Sequence, residues 1–66
     1  MKIFVNGEPA AYERALTVAD LVRHYALSPE TTLVELNRAA LHRREWETQM
    51  LSENDRVEIL WVAAGG

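Results

Sequence analysis

Apolar and polar positions alternate along the chain with two different periods. From Arg56 to Val62 the period is two: Val57, Ile59 and Trp61 fall on one side of an extended strand, and Glu58, Leu60 and Val62 on the other. A strand apolar on much of both faces belongs in the middle of a sheet. Around Val18, Leu21, Val22 and Tyr25 the spacing is helical, so one face of that helix packs on the sheet. Thr17 stands before this pattern with Asp20 three residues later, the signature of a capped helix start, and Ser28-Pro29 sets the limit of the helix.

Lys2 to Val5 reads as a first strand closed by Asn6-Gly7, a pair suited to a type I′ hairpin turn because both positions need positive φ. The returning strand runs through about Tyr12. Pro9 within it cannot donate a ladder hydrogen bond, which assigns it to a sheet edge. Thr32 to Leu36 makes a third strand and Ala39 to Leu41 a short fourth, and Ser52 to Asp55 has turn composition before the last strand. The order strand, strand, helix, strands predicts an α+β roll, with one main helix packed on a mixed four- to five-stranded sheet.

A chain of 66 residues has room for one domain. The absence of cysteine excludes a disulfide framework, a thiolate metal site and a thiol nucleophile. A net charge of −3 argues against bulk attraction to nucleic acid. Met1 to Val5 is too short an apolar start for a signal peptide, and no stretch is long enough to span a membrane, so the chain is expected in the cytoplasm. His24 and His42 share no ligand spacing, so no metal site is expected. The chain lacks a nucleophile elbow, a phosphate-binding glycine loop and any recognisable catalytic triad, so it reads as a non-enzyme. Arg38, His42, Arg43 and Arg44 form a small basic cluster that reads as a solvated face, with docking on an acidic partner as the second reading. Trp46 reads as a packing residue, while Trp61 fits either the core or the flank of the tail.

The stretch Trp61-Val62-Ala63-Ala64-Gly65-Gly66 carries no charge, and an apolar strand running into two glycines suggests a terminus with a function of its own. Asn6-Gly7 after the first strand, Thr17-Val18 at the helix start and Leu36-Asn37 at the end of the third strand form an ordered set. Arg43 with Trp46 as R-x-x-W, Val57-Glu58-Ile59 and terminal Gly65-Gly66 complete it. In that order and spacing the whole chain resembles the thiamin-pathway sulfur carrier proteins of the ubiquitin-like, β-grasp family. It departs from their usual pattern at His42, where a proline commonly precedes the arginine, and at Glu53-Asn54-Asp55, in place of a D-G-D turn.

The resemblance implies a β-grasp domain over residues 1–66 whose tail, 63–66, is flexible. It implies that Gly66 is adenylated by an ATP-dependent activating enzyme and converted to a thiocarboxylate that donates sulfur for thiazole formation. ATP and magnesium are then used by that enzyme, and the carrier itself binds no cofactor. Implied partners are the adenylating enzyme, thiazole synthase and a sulfur-donor protein, with neither nucleic acid nor membrane, and a free carrier that is monomeric. Four residues, Ala63, Ala64, Gly65 and Gly66, reach roughly 13 Å into a partner's active site at about 3.3 Å each. Glycine there admits whatever φ the pocket imposes. If the first and last strands are neighbours, Phe4, Leu60 and Val62 share the outer sheet face and form the docking surface. Alternative readings are a sulfur carrier for molybdopterin synthesis, a non-covalent β-grasp binding module, and a modifier that forms isopeptide bonds with lysine.

Overall fold

A computed structural model describes residues 1–61. Val62 and the tail Ala63 to Gly66 lie outside the described residues, and so do the expectations placed on them. Strands β1 (Lys2–Val5) and β2 (Glu8–Ala11) are followed by helix α1 (Val18–His24), then β3 (Thr32–Leu36), β4 (Ala39–Leu41) and β5 (Arg56–Trp61). Short 3₁₀ turns at Pro29–Thr31 and Arg43–Glu45 join the later elements. The sheet order is β2-β1-β5-β3-β4, with β1 and β5 parallel and the other neighbours antiparallel, so the last strand is central and the fold is the β-grasp roll.

The first hairpin forms as its residues dictate. Asn6 and Gly7 have φ of 51° and 83°, both left-handed. A Cβ at Gly7 would meet no atom within 4 Å, so a substitution there is disfavoured by φ and not by space. β2 is an edge strand, where Pro9 opposite Phe4 is tolerated. Pairing continues to Tyr12, whose N–H donates to Met1 C=O at 2.8 Å, while the Met1 ammonium donates to Tyr12 C=O at 2.8 Å.

Helix α1 opens with a capping box. Thr17 Oγ1 accepts from Asp20 N–H at 3.0 Å, and Asp20 Oδ2 accepts from Thr17 N–H at 3.0 Å. The Thr17 N–H, and then the Arg23 guanidinium, hold the Asp20 carboxyl below the usual carboxylate range. Val18, Ala19, Leu21 and Val22 are buried against Ile3, Val5, Val34, Val57 and Ile59 of the sheet, and Leu16, Trp46 and Leu51 complete the core.

The helix stops at His24, four residues before the expected limit at Ser28-Pro29. Ala26 takes a left-handed φ of 56°, its N–H donates to Arg23 C=O at 2.9 Å, and Leu27 N–H reaches back to Val22 C=O at 3.3 Å. This is a Schellman ending with alanine where glycine is the usual residue. Tyr25 therefore sits at the C-cap and is 43% exposed instead of continuing the apolar face. Replacing Ala26 by glycine is expected to stabilise the fold by about 0.5–1 kcal/mol, because it relieves the Cβ clash of the left-handed region at some entropic cost. Thermal unfolding checks this: the midpoint should rise by a few degrees, and a fall would show that the αL geometry costs nothing here.

A second type I′ turn, Asn37-Arg38 with φ of 50° and 72°, links β3 to β4. Its second position holds arginine, so sequence reading located the strands without the turn type. Asn54, in the turn before β5, has a φ of 69°, in keeping with asparagine's tolerance of that region.

Candidate functional site

The site is the end of β5, from which the chain continues to residues 62–66. Two asparagines brace this central strand from opposite sides. β1 pairs with β5 as far as Val5 opposite Val57, and Asn6 N–H donates to Val57 C=O at 2.9 Å. The main chain then turns away into the hairpin. The Asn6 side chain takes over the ladder: Oδ1 accepts from Ile59 N–H at 2.7 Å and Nδ2 donates to Ile59 C=O at 3.1 Å. On the other flank Asn37 Oδ1 accepts from Arg56 N–H at 2.9 Å, and Nδ2 donates to Asp55 Oδ1 at 3.1 Å. The strand that leads to the tail is thereby held in register at its first residue, Arg56, and again at Ile59.

The outer face of the sheet carries an ordered sequence of side chains along β5. At the end away from the tail, Phe4 lies opposite Arg56 and is half-buried, with Arg56 Cζ 5.0 Å and Lys2 Nζ 5.3 Å from its ring centroid. Next along the strand, Glu58 lies directly across from Glu35, a like-charge pair that costs stability. At the tail end Leu60 lies across from Leu33, and these leucines are 54% and 65% exposed.

Of the residues expected at a docking surface, Leu60 is therefore open to solvent, Phe4 is partly covered by two cations, and Val62 lies outside the described residues. Sequence reading missed Leu33. The alternation of Thr32 and Val34 against Leu33 and Glu35 could have found it.

The helix side of the same strand end differs. Trp61 shares the phase of Val57 and Ile59, yet it is 58% exposed because it lies past the cover of the short helix. Sequence left Trp61 open between the core and the flank of the tail, and its exposure takes it out of the core. Trp46 is only 4% exposed, a core residue as expected, with an indole N–H that has no partner among the described residues. Arg38, His42, Arg43 and Arg44 are all exposed, around the β3–β4 turn and the 3₁₀ turn that follows β4. Among the described residues no His, Cys, Asp or Glu group is placed to hold a metal, and no helix is long and apolar enough to cross a membrane.

Comparison with known proteins agrees with this architecture. The structure superposes on the crystal structure of a thiamine biosynthesis protein (ThiS) from Geobacter metallireducens with a TM-score of 0.83 and 30% identity, covering 100% of both chains. A solution structure of a thiamine biosynthesis protein from the same organism gives 0.84 at 30% identity, covering 100% of this chain and 88% of that one. Among curated proteins, the chain is 35% identical over 66 residues to a thiazole synthase from Magnetococcus marinus; that match takes in all of this chain but 20% of that protein. It is 27% identical to the uncharacterized protein ycf40 of Trieres chinensis, over 96% of this chain and 86% of that one. The profile of the ThiS family matches residues 3–66, from the first strand through the two terminal glycines, and the chain belongs to that family.

Proposed function

We propose that this protein is a sulfur carrier of thiamin biosynthesis, a co-substrate and not an enzyme, with Gly66 as the reacting residue. The observation that carries the reading is the family match, which continues through Gly65-Gly66. The likeness to a thiamine biosynthesis protein over the full length of both chains supports it. A protein described as thiazole synthase contains a stretch similar to this whole chain, which supports thiazole synthase as the acceptor partner.

The chemistry follows from the carboxyl group. An α-carboxyl with a pKa near 3.3–3.7 is an anion at neutral pH and a poor electrophile. Attack of the Gly66 carboxylate on the α-phosphate of ATP, with pyrophosphate leaving, makes a glycyl adenylate on the activating enzyme. A donor-protein persulfide then attacks the acyl carbon and AMP leaves. A thiol of the donor system takes the resulting S–S bond as a disulfide, and the thiocarboxylate remains on Gly66. Two glycines let the backbone pass into a narrow, water-excluding pocket. The body docks through the outer sheet face, with Phe4, Leu60 and Val62 as contacts and Leu33 beside Leu60.

The test is the intact mass of the chain after incubation with MgATP, its activating enzyme and a sulfur donor, beside a variant lacking Gly66. The expected result is a gain of one oxygen-for-sulfur exchange in the intact chain and none in the truncated one. An unchanged mass, with partners shown to be active on another carrier, moves the assignment to a non-covalent β-grasp module.

A further inference from the structure

On the helix side of the sheet, opposite the Leu33 and Leu60 face, a cleft of about 440 Å³ opens between the end of α1 and the ends of β1 and β5. Tyr25 and Leu27 form its helix wall, Val5 and Ile59 its floor, and Trp61, Asn6 and Glu8 its rim. Apart from the Tyr25 hydroxyl and the Trp61 indole N–H, the polar groups of the lining are those of the last two residues. The register explains how the carboxylate comes to be there: Glu8 lies directly across from Val5 and so shares its core-side face, at the point where the sheet passes out from under the helix.

Among the described residues Glu8 is the only charged one lining the cleft, and no cation of theirs lines it. The ion pairs among the described residues join Arg23 to Asp20 and to Glu47, which leaves Glu8 without one. Trp61 presents an indole that is 58% exposed at the same rim. The rim is rigid, because the Asn6 amide is tied to both backbone groups of Ile59.

A carboxylate beside an open indole over an aliphatic floor is complementary to one side chain in particular. Arginine has an apolar stem to lie on Leu27 and Ile59, a planar cation to stack on Trp61, and paired N–H donors for Glu8. Lysine offers a point charge with a heavier hydration shell and no plane to stack. We propose that this cleft is a second docking site, taking an arginine side chain presented by a partner protein.

Its position gives it a use. Leu60 and Trp61 are consecutive residues on opposite faces of β5, so the strand that leads to residues 62–66 is flanked by an apolar docking face on one side and an arginine receptor on the other. Two partners, or two parts of one, can then grip the body without competing for the same surface. The cleft itself does not depend on the sulfur-carrier reading, since neither its lining nor its ligand involves ATP or Gly66.

The experiment titrates the full ¹⁵N-labelled chain with N-acetyl-arginine methylamide, using the lysine and norleucine analogues as comparisons. Saturable shifts are expected at the Trp61 indole N–H and the Glu8 and Leu27 amides, with the buried Trp46 indole unmoved. Affinity should fall at least about fivefold for the lysine analogue and about tenfold in Glu8→Gln. Trp61→Leu keeps an apolar wall and removes the π face, and it should also weaken binding about fivefold or more. Shifts that do not saturate, that spread equally to Glu13 and Glu58, or that survive unchanged in Glu8→Gln overturn the site. Because the probe is a single amino acid, this result is independent of whether the chain accepts sulfur.

Discussion

Leu21→Ala is expected to remove about 2–5 kcal/mol of stability, the range for deleting a fully buried leucine side chain from a close-packed core. Leu21 is 0% exposed, on the face of α1 that lies over the sheet. A chain of 66 residues has a total stability of about 3–10 kcal/mol at roughly 0.05–0.15 kcal/mol per residue, so this one change consumes a large part of it. The helix has only seven residues, too few to persist without its packing, so the sheet loses its cover when the contact fails. For a domain of this size each kcal/mol moves the melting midpoint by about 4–8 °C, and a drop of at least about 10 °C should appear in thermal unfolding. Leu33→Ala is the control, because Leu33 is open to solvent on the outer face and its removal should stay within about 0.5 kcal/mol. Equal midpoints for the two variants would refute the assignment of the core.

The second large effect is expected at Asn6. Asn6→Ala removes both side-chain hydrogen bonds to Ile59 and puts a β-carbon without local hydrogen bonding into a left-handed φ of 51°. Each bond contributes about 0.5–1.5 kcal/mol net and the αL position about 1 kcal/mol, for a total of roughly 2–4 kcal/mol. Asn6→Gly separates the two terms: it keeps the turn conformation, loses only the amide, and should cost less than alanine. Asn6→Asp keeps the acceptor for Ile59 N–H but sets a carboxylate against Ile59 C=O, so it should fall between wild type and alanine.

The local readout is amide hydrogen exchange at Ile59, which should lose protection ahead of Val57 in the alanine and glycine variants and keep most of it in Asn6→Asp, where the acceptor remains. Unchanged exchange at Ile59 in Asn6→Ala would mean that the side-chain ladder does not hold the strand. Because Leu60 and Trp61 follow Ile59 on opposite faces, loosening this point should also weaken the proposed docking on both.

Local chemistry made much of the fold legible. Asn6-Gly7 encodes its hairpin because the αL requirement lies in the two residues themselves. Pro9 marks an edge by lacking a donor, and Thr17 with Asp20 caps the helix over three residues of chain. The central place of β5 was readable from apolar residues on much of both its faces, although only the Val57 and Ile59 face proves buried.

Features that lack their usual signal residue, or that distant parts of the chain close, were not readable. The helix end depends on Leu27 reaching Val22, with an alanine where glycine would have announced the turn. Arg38 hides a type I′ turn for the same reason. That Asn6 serves as an extra ladder residue for a strand 53 positions away could not be inferred from Asn6-Gly7 alone.

The candidate site divides in the same way. Period-two alternation by itself assigned Leu60 and Trp61 to opposite faces of the last strand, since successive side chains of any strand point apart. Only the tertiary structure decided which of those faces is covered and how far. A helix that stops at His24 leaves Trp61 beyond its shelter, and the strand order sets Leu33 beside Leu60 and Glu8 beside Val5. Alternation is a property of one strand's covalent geometry, whereas exposure is a property of what the rest of the chain places over it.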